Sequence, residues 1–149
     1  MATHRVYFVR HAKAEQGAGD DASRHLTSEG RRRFARLVGA IGGRVRIARI
    51  LSSPLVRARE TAEILARSTG AAVEIDARLA AGASSARELV AMAREATPGT
   101  ALVGHNPELA EAVTRVAGED LEVKPGAVAA LDVGEKDVRL AWLEVPQKE

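Results

Sequence analysis

The sequence contains no cysteine, which excludes disulfide bridges, thiolate nucleophiles and zinc sites with cysteine ligands. Aromatic residues make up only 3% of the chain, so the core must be built from Ala, Val, Leu and Ile. No apolar run approaches the roughly 20 residues that a membrane-spanning helix needs. The first residues, MATHRVYF, lack the basic-then-apolar order of a secretion signal. We therefore expect a cytoplasmic protein with no membrane partner.

The residues that are present suit one globular domain. The chain has 149 residues, of which 46% are apolar, and we expect a single domain over residues 1–149 that is monomeric. The 22 basic and 20 acidic residues leave a net charge of only +2, so nucleic acid is not an expected partner. Nearly all the basic residues are arginine, which binds phosphate in a forked geometry. A GC-rich genome would produce the same excess of arginine over lysine.

Short apolar segments alternate with amphipathic segments along the chain. The apolar segments predict strands at 5–9, 49–51, 73–75 and 101–103, followed by a hairpin of 127–133 and 138–145. The amphipathic segments predict helices at 28–41, 54–68, 86–96 and 107–117, preceded by the N-cap candidates Thr27, Ser53, Ser85 and Asn106. This alternation is typical of a three-layer α/β domain with a mostly parallel central sheet and helices on both faces.

Polar side chains follow three of the predicted strands. Arg10 and His11 end the first strand, Arg57 follows the second within SSPLVR, and His105 and Asn106 follow the fourth. In open α/β sheets, ligands bind at the carboxyl ends of the strands. Two of these strands lead directly into helices, whose N-termini attract anions. With Arg57 one turn into its helix and leaning toward the crevice, the pattern predicts a site for a phosphoryl group.

Each of these residues also has an ordinary structural interpretation. Arg10 alone would be a salt-bridge partner, and His11 alone a half-buried histidine with a satisfied ring. His105 alone would be a helix-cap residue, and Arg57 alone a solvated helix residue. Their joint placement favours a phosphoryl-transfer site, in which a neutral imidazole attacks phosphorus and arginines offset the charge in flight. Two histidines without a matching carboxylate set make a poor metal site, so we expect neither a metal nor a cofactor.

Together these segments resemble the histidine phosphatase superfamily, also called the phosphoglycerate mutase-like family. Arg10-His11-Ala12 stands where the family has Arg-His-Gly. SRHLTSEG (23–30), ILSSPLVRARETAEIL (50–65), LVGHNPEL (102–109) and PGAVAALDV (125–133) then follow in the family's order. The resemblance covers about residues 5–143 and implies the phosphoglycerate mutase-like fold. The short length and the Arg-His-Ala-x-Ala form are most similar to the small phosphohistidine phosphatases of the SixA type.

The resemblance implies a role for each candidate residue. His11 would be the nucleophile that is transiently phosphorylated. The residues implied to bind the phosphoryl group are Arg10, Arg57, His105, Arg24 and Asn106. Among them, His105 would also stabilise the transition state, Arg24 would lie at the rim, and Asn106 would contribute its backbone N–H.

Two departures from the family pattern bear on the substrate. Ala12 replaces glycine, so the turn there must not need a positive φ. Larger family members carry a glutamate general acid after the third strand, usually beneath a helical insert. Here that region reads DARLAAGASS, in which Ala80 and Ala81 lie near the expected place, and the nearest acid, Asp76, is interpreted as a turn residue. We therefore expect no helical insert between Ile75 and Ser85.

The missing acid favours a substrate with a good leaving group. A phosphate ester expels an alkoxide that needs protonation, whereas phosphohistidine expels imidazole, whose pKa is near 6.5. We expect a metal-independent phosphatase that dephosphorylates phosphohistidine on a protein such as a histidine phosphotransfer domain. Two alternatives remain open: a broad phosphomonoesterase acting on small metabolites, and a non-catalytic phosphate-binding protein with a decayed site.

Overall fold

The computed structural model describes residues 2–17 and 19–148. The strands are β1 (His4–Arg10), β2 (Arg49–Ser52), β3 (Ala72–Ile75), β4 (Thr100–Gly104), β5 (Val128–Val133) and β6 (Val138–Glu144). The helices are α1 (Ser28–Ile41), α2 (Val56–Thr69), α3 (Ala86–Glu95) and α4 (Glu108–Ala117). Short 3-10 turns lie at Asp21–Ser23, Gly42–Arg44 and Ala77–Leu79.

The six strands form one sheet in the order β3-β2-β4-β1-β5-β6. β3, β2, β4 and β1 are parallel, β5 is antiparallel to β1, and β6 is antiparallel to β5. The predicted α/β class with a mostly parallel sheet is therefore confirmed. β4 lies between β1 and β2, with Arg10 opposite Gly104 and Ser52 opposite Val103. The carboxyl ends of these three strands consequently meet at one edge of the sheet.

Helices cover both faces of the sheet, and the alternation of side chains along each strand supplies both cores. On β1, Val6 and Phe8 pack in the cluster that contains residues of α3 and α4. Tyr7 and Val9 belong to the cluster that contains residues of α1 and α2. All four side chains are at most 1% exposed. A sheet buried on both faces explains why this strand is a continuous apolar run.

Two helices begin where local capping signals predict. The Thr27 side chain accepts a hydrogen bond from the N–H of Gly30 at the start of α1. Ser85 and Glu88 form the expected capping box at the start of α3, each side chain accepting from the other residue's N–H. These signals act over three residues, so the sequence alone suffices to locate both helix starts.

The other two helices begin later than predicted. α2 begins at Val56 rather than at Pro54, because Ser53 Oγ accepts from the N–H of Leu55 in a turn that precedes the helix. Ser53 is therefore not an N-cap residue. α4 begins at Glu108, and its N-cap position is Pro107 rather than Asn106.

The connection between β3 and α3 spans residues 76–85 and contains the Ala77–Leu79 turn. Asp76 caps this turn by accepting from the N–H of Arg78, which agrees with its interpretation as a turn residue. Leu79 is buried beneath the connection. Among the helices of residues 2–17 and 19–148, none has the length and apolar character needed to cross a membrane.

Candidate active site

A pocket of about 510 Å³ lies where β1, β2 and β4 end. All six residues that the sequence nominated line it: Arg10, His11, Arg24, Arg57, His105 and Asn106. They come from the end of β1 and the loop after it, from the first turn of α2 after β2, and from the loop after β4, so the strand order β2-β4-β1 is what brings them together.

The His11 ring is held in one tautomer by a main-chain hydrogen bond. Its Nδ1 lies 2.7 Å from the carbonyl oxygen of Ala12. Because a carbonyl oxygen can only accept, Nδ1 carries the proton and Nε2 of the neutral ring has a free lone pair. The backbone beside it is fixed too, since the N–H of Ala12 donates to Thr61 Oγ1 and the N–H of His11 donates to the oxygen of Gly104. Ala12 has no positive φ, as its Cβ requires.

The His105 ring is only 2% exposed and lies against Ser53, with His105 Nε2 and Ser53 Oγ 2.7 Å apart. Ser53 Oγ already accepts from the N–H of Leu55, and its own proton is free to be donated to Nε2. With that bond, neutral His105 carries its proton on Nδ1. His105 Nδ1 is buried and has no hydrogen-bond partner within the described chain.

Both histidines are neutral at pH 7. The pKa of His11 is lowered to about 4, chiefly by burial and also by Arg57, Arg10 and Arg24, against the opposing bond to Ala12. The pKa of His105 is lowered to about 3, chiefly by burial and also by His11 and Arg57. The two ring centroids are 5.2 Å apart. The pocket thus presents a neutral imidazole with an unprotonated nitrogen beside a second neutral imidazole.

Two arginines approach the same pocket and are held by main-chain oxygens. Arg10 Nη1 donates to the oxygen of Val123 at 2.9 Å, and Arg57 Nη1 donates to the oxygen of Asp21 at 2.9 Å. Arg57 is the second residue of α2, not one turn into it, and its side chain is buried. Within the described chain, the Nε–H groups of both arginines are buried without a partner. Such donors favour binding of an anion that can accept from them.

Asp21 contacts both Arg24 and Arg57 at the rim. Its Oδ1 accepts from Arg24 Nε at 3.0 Å, and its Oδ2 lies 3.3 Å from Arg57 Nη2. Arg24 also donates through Nη1 to the oxygen of Glu15. Arg57 and, more weakly, Arg24 hold the pKa of the Asp21 carboxyl below its usual value. Asp21 is therefore ionised at neutral pH and cannot donate a proton from this position.

Asn106 fixes the neighbouring loop. Its Nδ2 donates to the oxygen of Val123, the same oxygen that binds Arg10, and its Oδ1 accepts from the N–H of Ala110. The N–H of Leu109 is also taken, by the oxygen of His105. The chain itself thus uses two of the early N–H groups of α4, which the sequence had suggested would face an anion. Side chains supply most of the positive character of the pocket.

Sequence reasoning missed three polar partners of the site: Ser53, Asp21 and Thr61. Ser53 has the residue type of a helix N-cap, and that interpretation gave no indication of its hydrogen bond to His105. Asp21 lies in a polar loop that resembles a solvated connection, and Thr61 lies on the buried face of α2. No local pattern distinguishes these residues, because each partner is 36 to 52 positions away. Among the described residues, no group of three or more His, Asp or Glu side chains is arranged to hold a metal ion.

The α/β fold and the pocket of paired histidines and arginines indicate a class of protein that acts on phosphoryl groups. Residues 6–88 match the model of the histidine phosphatase superfamily (branch 1). The chain belongs to this superfamily, and the membership supports phosphatase activity. An uncharacterized protein from Picosynechococcus sp. is 35% identical, with a match that covers 87% of this chain and 85% of the relative.

Solved structures show the same fold. A candidate phosphohistidine phosphatase SixA from Agrobacterium tumefaciens is 26% identical with a TM-score of 0.83, covering 97% of this chain and 99% of that one. A protein histidine phosphatase SixA in complex with tungstate is 22% identical with a TM-score of 0.82, covering 95% and 97%. The fold alone is also shared with phosphoserine phosphatase from Entamoeba histolytica, which is 14% identical with a TM-score of 0.68 over 93% of this chain and 95% of that one.

Proposed function

We propose that this protein hydrolyses phosphohistidine on a protein substrate through a covalent phospho-His11 intermediate, without a metal. The observation that carries the proposal is the tautomer of His11. The bond from Nδ1–H to the oxygen of Ala12 leaves Nε2 unprotonated, and a pKa of about 4 keeps the ring neutral at pH 7. A rigidly held, neutral imidazole at a strand end is an activated nucleophile.

The reaction takes two displacements at phosphorus. His11 Nε2 forms a bond to phosphorus as the P–N bond of the ring-protonated phosphohistidine breaks. The substrate's imidazole departs neutral, because it keeps the proton on its other ring nitrogen. Water then attacks the phosphorus of phospho-His11, the new P–N bond breaks, and inorganic phosphate leaves. Neutral His11 is restored, still donating through Nδ1 to Ala12.

Arg10, Arg57 and His105 are the groups that stabilise the phosphoryl oxygens in this scheme. The partnerless Nε–H donors of both arginines and the partnerless Nδ1 of His105 support this assignment. Fixed donors in a buried site stabilise developing charge without reorganising. Arg24 and the backbone N–H of Asn106 complete the proposed phosphate-binding set at the rim.

The states of Asp21 and Asp76 favour phosphohistidine over a phosphate ester. Asp21 is the one acidic residue among the described residues that line it, and Arg57 keeps it ionised. Asp76 accepts a hydrogen bond from the side chain of Arg78, and this bond is the main reason why the pKa of the Asp76 carboxyl is lowered. A leaving imidazole needs no strong acid, whereas a leaving alkoxide does. The connection over residues 76–85 contains only the short Ala77–Leu79 turn, and none of its residues lines the pocket, which supports a substrate presented by a protein surface.

The test compares a phosphohistidine peptide, a phosphoserine peptide and a sugar phosphate at equal concentration. We expect preferential hydrolysis of phosphohistidine in the presence of a chelator. Acid-labile phosphate should be trapped on the wild-type chain and absent from His11→Ala. His25→Ala is the matched control, because His25 contacts Glu60 outside the pocket.

Other results would point elsewhere. Turnover that survives His11→Ala would rule out the covalent scheme. Faster hydrolysis of the sugar phosphate would identify a phosphomonoesterase for small metabolites. Phosphate binding without turnover of any compound would identify a binding protein.

A further inference from the structure

A second groove opens beside the candidate active site. It has a volume of about 550 Å³ and shares Lys13 and Pro125 with the rim of the active-site pocket. Its lining includes Gly30 at the start of α1 and Val145 and Pro146 after β6. A molecule that extends out of the pocket in this direction would therefore lie on the groove.

The groove is basic, and we call it the basic groove. Four of the described residues that line it are cationic, Lys13, Arg33, Lys124 and Lys148, and none is acidic. The acidic residues Glu119, Asp120 and Glu122 precede Lys124 in sequence but do not line the groove. The chain has only four lysines, and three of them lie here.

The chain itself uses two of these four cations. Lys13 pairs with Glu29 at 2.8 Å, and the same carboxylate lies 3.8 Å from Arg33. Arg33 also donates to the main-chain oxygens of Pro146 and Gln147, which fixes the segment after β6 as one wall. Lys124 and Lys148 have no ion-pair partner within the described chain. Both are exposed and free to pair with a bound carboxylate.

We infer that the basic groove docks an acidic segment of the phosphorylated protein whose phosphohistidine enters the pocket. The inference rests on the proposed function. Exposed lysines attract carboxylates and raise the encounter rate. Pro125, Val145 and Pro146 also line the groove and offer apolar surface to side chains that lie between those carboxylates. A single-stranded nucleic acid would instead need aromatic side chains for stacking, and none lines the groove among the described residues.

The experiment uses two phosphohistidine peptides that differ only in their flanking residues, Glu in one and Gln in the other. We expect the wild-type chain to prefer the Glu peptide by about tenfold in kcat/KM at low ionic strength, and we expect salt to reduce the preference. Combining Lys124→Glu with Lys148→Glu should abolish or reverse it. Lys136→Glu is the matched control, because Lys136 lies in the β5–β6 turn at the opposite end of the sheet.

Phosphoramidate, a small compound with a P–N bond, separates the two proposals. The double variant should hydrolyse it within about twofold of the wild type, because neither lysine lines the active-site pocket. If phosphoramidate and both peptides resist the wild-type chain, the proposed function fails. If the chain hydrolyses both peptides equally well, or if Lys136→Glu has the same effect as the double variant, only the docking surface is overturned. Inhibition by a single-stranded RNA as strong as that by the unphosphorylated Glu peptide would also overturn it.

Discussion

Acidification should destabilise this protein through its two buried histidines. Their pKa values in the folded state, about 4 for His11 and about 3 for His105, lie below the value near 6.5 of an unfolded histidine. The unfolded chain therefore takes up protons first as the pH falls. The stability that these rings contribute is complete above about pH 6.5 and is lost progressively as the pH falls toward 4 for His11 and toward 3 for His105.

The size of the effect follows from these values. Between pH 7.5 and pH 5.0, each histidine should lower the free energy of unfolding by about 2 kcal/mol, or about 4 kcal/mol for the pair. This is a large part of the 5–15 kcal/mol that is typical of a domain. Urea unfolding at the two pH values measures the difference. The buffer must contain no phosphate, because an anion bound to the folded site would mask the loss.

A double variant, His11→Asn with His105→Asn, isolates the contribution of these rings. We expect its stability to be nearly independent of pH over this range, apart from the residual effect of other groups. If the variant keeps the full pH sensitivity of the wild type, the buried rings are not its cause. An NMR titration of the wild-type chain gives a direct check, and a ring that titrates above pH 6 would refute the reasoning for that residue.

Three further substitutions test individual contacts. Ser53→Ala should lower kcat about tenfold and destabilise the fold by about 1–3 kcal/mol, because it leaves His105 Nε2 buried without a partner. An unchanged kcat would show that this hydrogen bond does not contribute to turnover. Asp21→Asn should tighten inhibition by inorganic phosphate a few-fold, because it removes a competing anion from Arg57; weaker inhibition would instead make Asp21 a positioning residue. Leu102→Ala should cost about 2–5 kcal/mol in urea unfolding, because this side chain is fully buried in β4; a cost below about 1 kcal/mol would contradict that burial.

Local chemistry explains which parts of the fold were predictable. The bounds of α1, residues 28–41, follow from the Thr27 cap and from apolar positions at helical spacing. The capping box of Ser85 and Glu88 likewise acts within one turn of helix. The start of α2 was wrong because Ser53 has the residue type of an N-cap, and only the folded chain shows its hydroxyl bound to Leu55 and His105.

The sequence by itself determined the order of strands and helices and nominated the polar residues at three strand ends. Side-chain alternation and capping depend on neighbours within a few positions, so a sequence displays them directly. The tertiary structure alone decided that β4 lies between β1 and β2, which brings His105 to 5.2 Å from His11. It also decided which ring nitrogen of His11 carries the proton, and that Asp21 forms an ion pair with Arg57. These features depend on pairings between distant segments and on the backbone conformation at one turn, and neither is encoded in a local pattern.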